Sequence, residues 1–224
     1  MSVFSDIVKL WNADDLLSQA WEESYSMMML SNEIFTKAIQ YLREGKNDEA
    51  IRKLKKRDIE INIFQKNVRR KVVTHYAISQ NIDDLPSGLV LLNMVVDIER
   101  VGDYTKNILD LALLHPNTIR SEDISEELYS VEQEVVSRFA KTIEVIQQQD
   151  EEKARRLLLT YKETLTSVSD TVVNNCISGN IVLGDESKIV SMALYARYLK
   201  RIGAHLKNIT TVLVNPFDAV GYKQ

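Results

Sequence analysis

The sequence predicts an all-α protein of two tandem three-helix bundles, on three observations. Apolar residues recur at helical rather than alternating spacing along almost the whole chain. Seven glycines and three prolines in 224 residues leave few places to break a helix. One segment occurs twice: Ile98-Glu99-Arg100-Val101-Gly102-Asp103-Tyr104-Thr105-Lys106-Asn107-Ile108 returns 101 residues later as Leu199-Lys200-Arg201-Ile202-Gly203-Ala204-His205-Leu206-Lys207-Asn208-Ile209. Such a period reads as one structural unit used twice.

The first helix is expected from about Asp14 to Glu44, with Leu16, Leu17, Ala20, Met27, Ile34, Ala38 and Leu42 in its apolar stripe. Gly45 closes it, as glycine commonly does just past a helix. Asn47 is a good N-cap for a second helix running to about Ser79. After a break over Asn81–Ser87, Asp83 and Asp84 can cap a third helix, which tolerates Pro86 in its first turn and stops at Leu114, before His115-Pro116-Asn117. The fourth starts near Ser121, where Glu122 and Asp123 suit the positive end of the helix dipole, and runs to about Gln148. A fifth covers about Glu151–Ser178 and ends at Gly179; a sixth covers about Asp185–Val214 and ends before Pro216. Phe217–Gln224 reads as irregular. Long helices with short loops pack as antiparallel neighbours. The bundles are therefore expected over residues 14–114 and 121–214, and with no linker-like segment between them they should share a packed interface.

Composition excludes several classes. A net charge of -4 and a pI near 5.5 argue against a nucleic-acid partner. The lone Cys176 excludes an internal disulfide framework. Met1-Ser2-Val3-Phe4-Ser5-Asp6 is not a signal-peptide start, and no apolar run approaches the roughly 20 residues needed to span a bilayer, so a cytoplasmic location is expected. There is no phosphate-cradling glycine loop and no nucleophile–base pair, hence no positive sign of an enzyme. His75, His115 and His205 read as structural, Cys176 as core, and Met27-Met28-Met29 as core filling.

Glu99 and Asp103 stand at i and i+4 and share a helix face, which Asp110 extends. Two carboxylates there repel, and a hard cation would relieve the repulsion. The plain alternative is a solvated acidic face. Asp58 and Asn62 form a second i, i+4 pair in the preceding helix, with Glu60 between, and antiparallel packing would let the two pairs meet. In the second repeat Lys200 and Ala204 replace the acids; the counterparts of Asp58 and Asn62 are either Tyr161 and Leu165 or Lys162 and Thr166, a one-residue ambiguity of register. Gly102 and Gly203, each costing about 1 kcal/mol against alanine in mid-helix, suggest a close helix crossing, with Lys106-Asn107 and Lys207-Asn208 placed to cap or bridge another helix across it. The second helix carries Arg52, Lys53, Lys55, Lys56 and Arg57, then Lys66, Arg69, Arg70 and Lys71: a solvated face or a docking surface for an acidic partner or anionic headgroups.

Asp97-Ile98-Glu99-Arg100-Val101-Gly102-Asp103-Tyr104-Thr105-Lys106-Asn107-Ile108 closely resembles the signature of PhoU proteins, regulators of phosphate uptake, and Leu199–Ile209 resembles its second occurrence. Asp58-Ile59-Glu60-Ile61-Asn62 is similar to the acidic motif of the family's second helix. The resemblance implies a non-enzymatic adaptor, often a homodimer, reaching the membrane through a phosphate transporter's cytoplasmic subunit, a sensor histidine kinase, or both. It also implies metal clusters held by (Glu/Asp)-x-x-x-Asp pairs in some members. Glu99, Asp103, Asp58 and Asn62 would be the ligands here, for iron, zinc, manganese or magnesium, in the first bundle only if anywhere, because Lys200 and Ala204 depart from the motif. Alternatives are a regulatory partner of a sodium–phosphate or other secondary transporter and, remotely, a metal-dependent bundle enzyme; Ile63 and Gly102 stand where di-iron bundles place histidine.

Overall fold

The computed structural model describes residues 15–45, 47–79, 82–114, 119, 125–181, 186–215 and 217–222. Asp14, Asn81, His115–Asn117, Ser121–Asp123, Asp185 and Pro216, which figure in the expectations above, lie outside them. The described elements are helical, in chain order α1 (Leu16–Glu44), α2 (Asp48–Lys56), α3 (Asp58–Ser79), α4 (Leu85–Leu114), α5 (Glu126–Gln148), α6 (Glu151–Tyr161), a π-helical turn (Lys162–Thr166), α7 (Ser167–Ile177) and α8 (Glu186–Thr211), followed by a 3-10 turn (Phe217–Ala219).

Local chemistry sets most boundaries. The side chains of Asp15, Asn47, Ser125 and Asp150 each accept a backbone N–H in the first turn of the helix that follows. Gly45 ends α1 in the left-handed region, at φ 66°. Two expected helices depart from a regular α-helix. The second breaks at Arg57, whose N–H turns back to the Leu54 and Lys55 carbonyls, giving α2 and α3. The fifth stays continuous but takes one extra residue at the π-turn. The sixth stops at Thr211 rather than Val214, passing into turns.

Contacts fix the directions. Tyr76 meets Gly88, Gln65 reaches Val95 and Ile61 meets Gly102, so α3 and α4 are antiparallel. Leu165 lies at Gly203 and Ser169 Oγ donates to the Ala196 carbonyl, so the π-turn and α7 run antiparallel to α8. α4 packs extensively on α8, and one continuous apolar core includes Trp21, Phe35, Val101, Phe139, Tyr195 and Leu206. Met27 and Met28 are in that core, Met29 is exposed, and Cys176 packs partly buried against it.

The α4–α8 seam repeats itself. Asp97 Oδ1 meets His205 Nδ1 at 2.7 Å and accepts Asn208 Nδ2 at 3.2 Å. The same two repeat positions, with the helices exchanged, put Tyr198 against Tyr104, ring centroids 6.3 Å apart. Tyr104 and His205, themselves equivalent, stack at 5.9 Å.

Candidate functional site

Asp58, Asn62, Glu99 and Asp103 lie at the α3–α4 crossing. Gly102 permits it: a Cβ there would lie 3.1 Å from Ile61 Cδ1 and 3.4 Å from Asp58 Oδ1. The group at the centre is Lys106. Its ammonium donates to Asp58 Oδ2 at 2.9 Å and reaches Asp103 Oδ1 at 2.8 Å. Arg100 donates to Asp103 Oδ2 at 3.1 Å. The Asn62 amide nitrogen donates to Asp58 Oδ2 at 3.1 Å, so Asn62 steadies the aspartate. Asp58 Oδ1 is buried without a hydrogen-bond partner. Burial, and then the Asp103 charge, push the Glu99 carboxyl above its ordinary range. Asp103 and Asp58 hold Lys106 charged and raise it, against desolvation.

Beside the cluster a cavity of about 470 Å3 is lined by Lys55, Arg100, Asp103, Tyr104, Lys106 and Asp110, among others. Lys55 and Asp110 close one side with a short ion pair.

An ammonium, that of Lys106, lies between the Asp58 and Asp103 carboxylates. Among the described residues, no group of three or more His, Cys, Asp or Glu side chains could hold a metal. A metal between Asp58 and Asp103 would have to displace Lys106, since a divalent ion and an ammonium at contact distance repel by about 2 to 8 kcal/mol. The bridging expected of Lys106 is present, but its place between the two carboxylates was not read from the sequence. The i, i+3 spacing of Asp103 and Lys106 was the available signal.

The second half differs as the sequence indicated. Lys200 bonds both oxygens of Asp170, at 2.6 and 2.7 Å. A Cβ on Gly203 would meet Leu165 Cδ2 at 2.0 Å and Tyr161 Cε2 at 3.7 Å. Tyr161 thus faces this crossing as Asp58 faces the other. Leu165 comes four positions after Tyr161, but Ile61 comes three after Asp58, so the one-residue ambiguity of register is the π-turn itself.

Of the basic cluster, Arg52, Lys53 and Lys56 face solvent. Lys55 is committed to Asp110, and Arg57 bonds Glu60 and Glu33, which hold its guanidinium firmly charged. His75 is buried with Nε2 3.6 Å from Asp84.

These features define an all-helical bundle with an acid–lysine cluster at one crossing and an apolar, aromatic crossing in the other half. The same fold occurs in the crystal structure of PhoU from Pseudomonas aeruginosa, at TM-score 0.77 and 20% identity over 91% of this chain and 97% of that one. It occurs also in the phosphate transport system regulatory protein PhoU from Streptococcus pneumoniae, at TM-score 0.73 and 18% identity over 88% of this chain and 93% of that one. Residues 25–112 match the model of the PhoU domain. No curated protein sequence matches it.

Proposed function

We propose that this protein is a cytoplasmic, non-enzymatic regulator of phosphate transport that works by docking on a membrane partner. The match of residues 25–112 to the PhoU domain carries this reading. It is supported by the shared fold with the S. pneumoniae phosphate transport regulatory protein. No helix among the described residues is long and apolar enough to cross a membrane, so access to a transporter would be through a partner. The outer face of α2 and α3 suits docking: Arg52, Lys53, Lys56, Lys66, Arg69 and Arg70 are exposed, interleaved with exposed Ile59, Ile63 and Val73. An acidic surface on a transporter subunit or a sensor kinase complements it. Association as a homodimer belongs to the same proposal.

Capture from native membranes grown at high and low phosphate tests the reading. The expected catch is a phosphate transporter subunit or a sensor kinase, enriched at one phosphate level. A secondary cotransporter instead would move the assignment to that class, and no membrane partner at either level would sink it. Replacing Arg52, Lys53 and Lys56 by Glu should slow association most at low salt, because rim charges act on the encounter. Unchanged kinetics at low ionic strength return those residues to plain solvation.

For the acid cluster, Lys106 is proposed to serve as the resident cation. Wild-type protein should then purify with far less than one metal ion per chain, and Lys106→Met should gain manganese or zinc binding that is lost again with Asp103→Ala. Stoichiometric metal in the wild type that Glu99→Ala with Asp103→Ala removes would contradict this.

A further inference from the structure

The second half holds a cavity where the first holds its acid cluster. Lys207 and Thr211 occupy the repeat positions of Lys106 and Asp110. Both line a cavity of about 570 Å3 between α6, the π-turn, the end of α8 and the 217–222 tail. Its charge is of one sign: Arg155, Lys162 and Lys207 line it, and among the described residues no Asp or Glu does. Glu151 pairs with Arg155 from outside, at 2.6 Å. The rest of the wall is largely apolar, with Leu158, Leu159, Tyr161, Val214 and Tyr222. Leu159 and Tyr222, at its rim, are 75% and 72% exposed.

The wall is fixed by the fold. Lys207 Nζ donates to the Gly221 carbonyl at 2.9 Å and stands 6.0 Å from the Tyr161 ring centroid. Thr211 Oγ1 accepts the Gly221 N–H at 2.7 Å, and buried Asn215 donates to the Ala219 and Tyr222 carbonyls at 2.7 and 3.0 Å. These bonds pin the tail and carry Tyr222 to the rim. Arg138, only 1% exposed, stands 5.5 Å from the Tyr161 ring. The π-turn adds the extra residue here, and such turns are frequent at functional sites.

The volume falls within the range of small-molecule sites, roughly 300 to 1,000 Å3. Inorganic phosphate alone would leave the leucine, valine and tyrosine surface wet. A neutral apolar molecule would strip water from ammonium and guanidinium groups without replacing it, which is costly. A molecule with an apolar body and one anionic headgroup answers both. We propose that this cavity binds a small amphipathic anion, an aryl phosphate monoester or a fatty-acyl carboxylate, with its headgroup among Lys162, Lys207 and Arg155 and its body against Leu158, Leu159 and Tyr222. The site goes beyond the phosphate-transport reading and does not depend on it.

Titration calorimetry on the full chain tests it, with naphthyl phosphate and decanoate as ligands and naphthol and inorganic phosphate as controls. At least one amphipathic anion should bind below about 1 mM, and both controls at least about tenfold more weakly. Which of the two binds separates the aryl phosphate source from the acyl carboxylate. Lys162→Glu and, separately, Leu159→Asp should each weaken binding about tenfold or more, while Lys55→Glu in the first half changes nothing. Both changes are at exposed positions, and helix content by circular dichroism checks that the fold persists. Binding unaffected by both variants, inorganic phosphate binding as well as naphthyl phosphate, or neither ligand binding below that concentration would each overturn the proposal.

Discussion

Gly102 and Gly203 hold the same place in the repeat, yet their tolerance of a methyl group differs. Beside Gly102 the neighbours must give by a few tenths of an ångström, and helix propensity returns about 1 kcal/mol, so Gly102→Ala should be near neutral. Beside Gly203 the new Cβ would sit 2.0 Å from Leu165, a side chain with 0% exposure. Gly203→Ala should therefore destabilise by about 1 to 3 kcal/mol, less that same propensity gain, and urea midpoints of the two variants would show the contrast. Glu99 is a second test at this scale. Its raised pKa means the folded state holds the proton to higher pH than the unfolded chain. Stability from this group is therefore full at acid pH and falls as pH rises from the ordinary glutamate range through the raised value. Glu99→Gln should be more stable than wild type at neutral pH, with the two converging below about pH 4. A wild type that stays the more stable at neutral pH would reverse the sign.

The elements were largely legible because their signals are local. Helical spacing, Asn47 as a cap and Gly45 as a stop are each written in a few consecutive residues. The break at Arg57 and the π-turn were not, because neither is marked by glycine or proline. Arg57 is set by pairing with Glu60 and with Glu33 on α1. At the acid cluster, the four residues were readable from i, i+4 spacing, but Lys106 as the shared partner of Asp58 and Asp103 depends on how α3 and α4 meet. Least legible of all was Arg43 of α1. It bonds Glu132 of α5, which also accepts from the Tyr195 hydroxyl of α8 and is 2% exposed. Removing one member of a buried ion pair strands the other, at about 3 to 5 kcal/mol. Arg43→Met alone should cost that much in chemical denaturation. The triple change Arg43→Met, Glu132→Leu, Tyr195→Phe should recover a good part of it, because no charge is then stranded and only the Ile119 carbonyl, which Arg43 Nη1 bonds at 2.9 Å, loses its donor. A triple variant less stable than the single one would refute the ion-pair account.

At the scale of the whole molecule, a core running through α4 and α8 predicts one cooperative unfolding transition. Circular dichroism and tyrosine absorbance should report the same midpoint; two separated transitions would mean the halves fold independently. For the same reason, a fragment of residues 15–114 should be poorly folded or self-associated, since it would expose the side of α4 that α8 covers.

The α4–α8 seam carries a historical consequence. Asp97 with His205, and Tyr104 with Tyr198, are one pair of positions exchanged between partners, as in an isologous contact between identical subunits. An ancestral single unit could have dimerised through this helix. Fusion into one chain raises the effective concentration of the second copy enormously, so such a seam would tolerate different contacts at its two equivalent places. The polar Asp97–His205 pairing stands at one of the two equivalent places, and a pair of tyrosines stands at the other. Freed from matching each other, the copies could diverge, one around an acid–lysine cluster and the other around a cationic, oil-lined hollow.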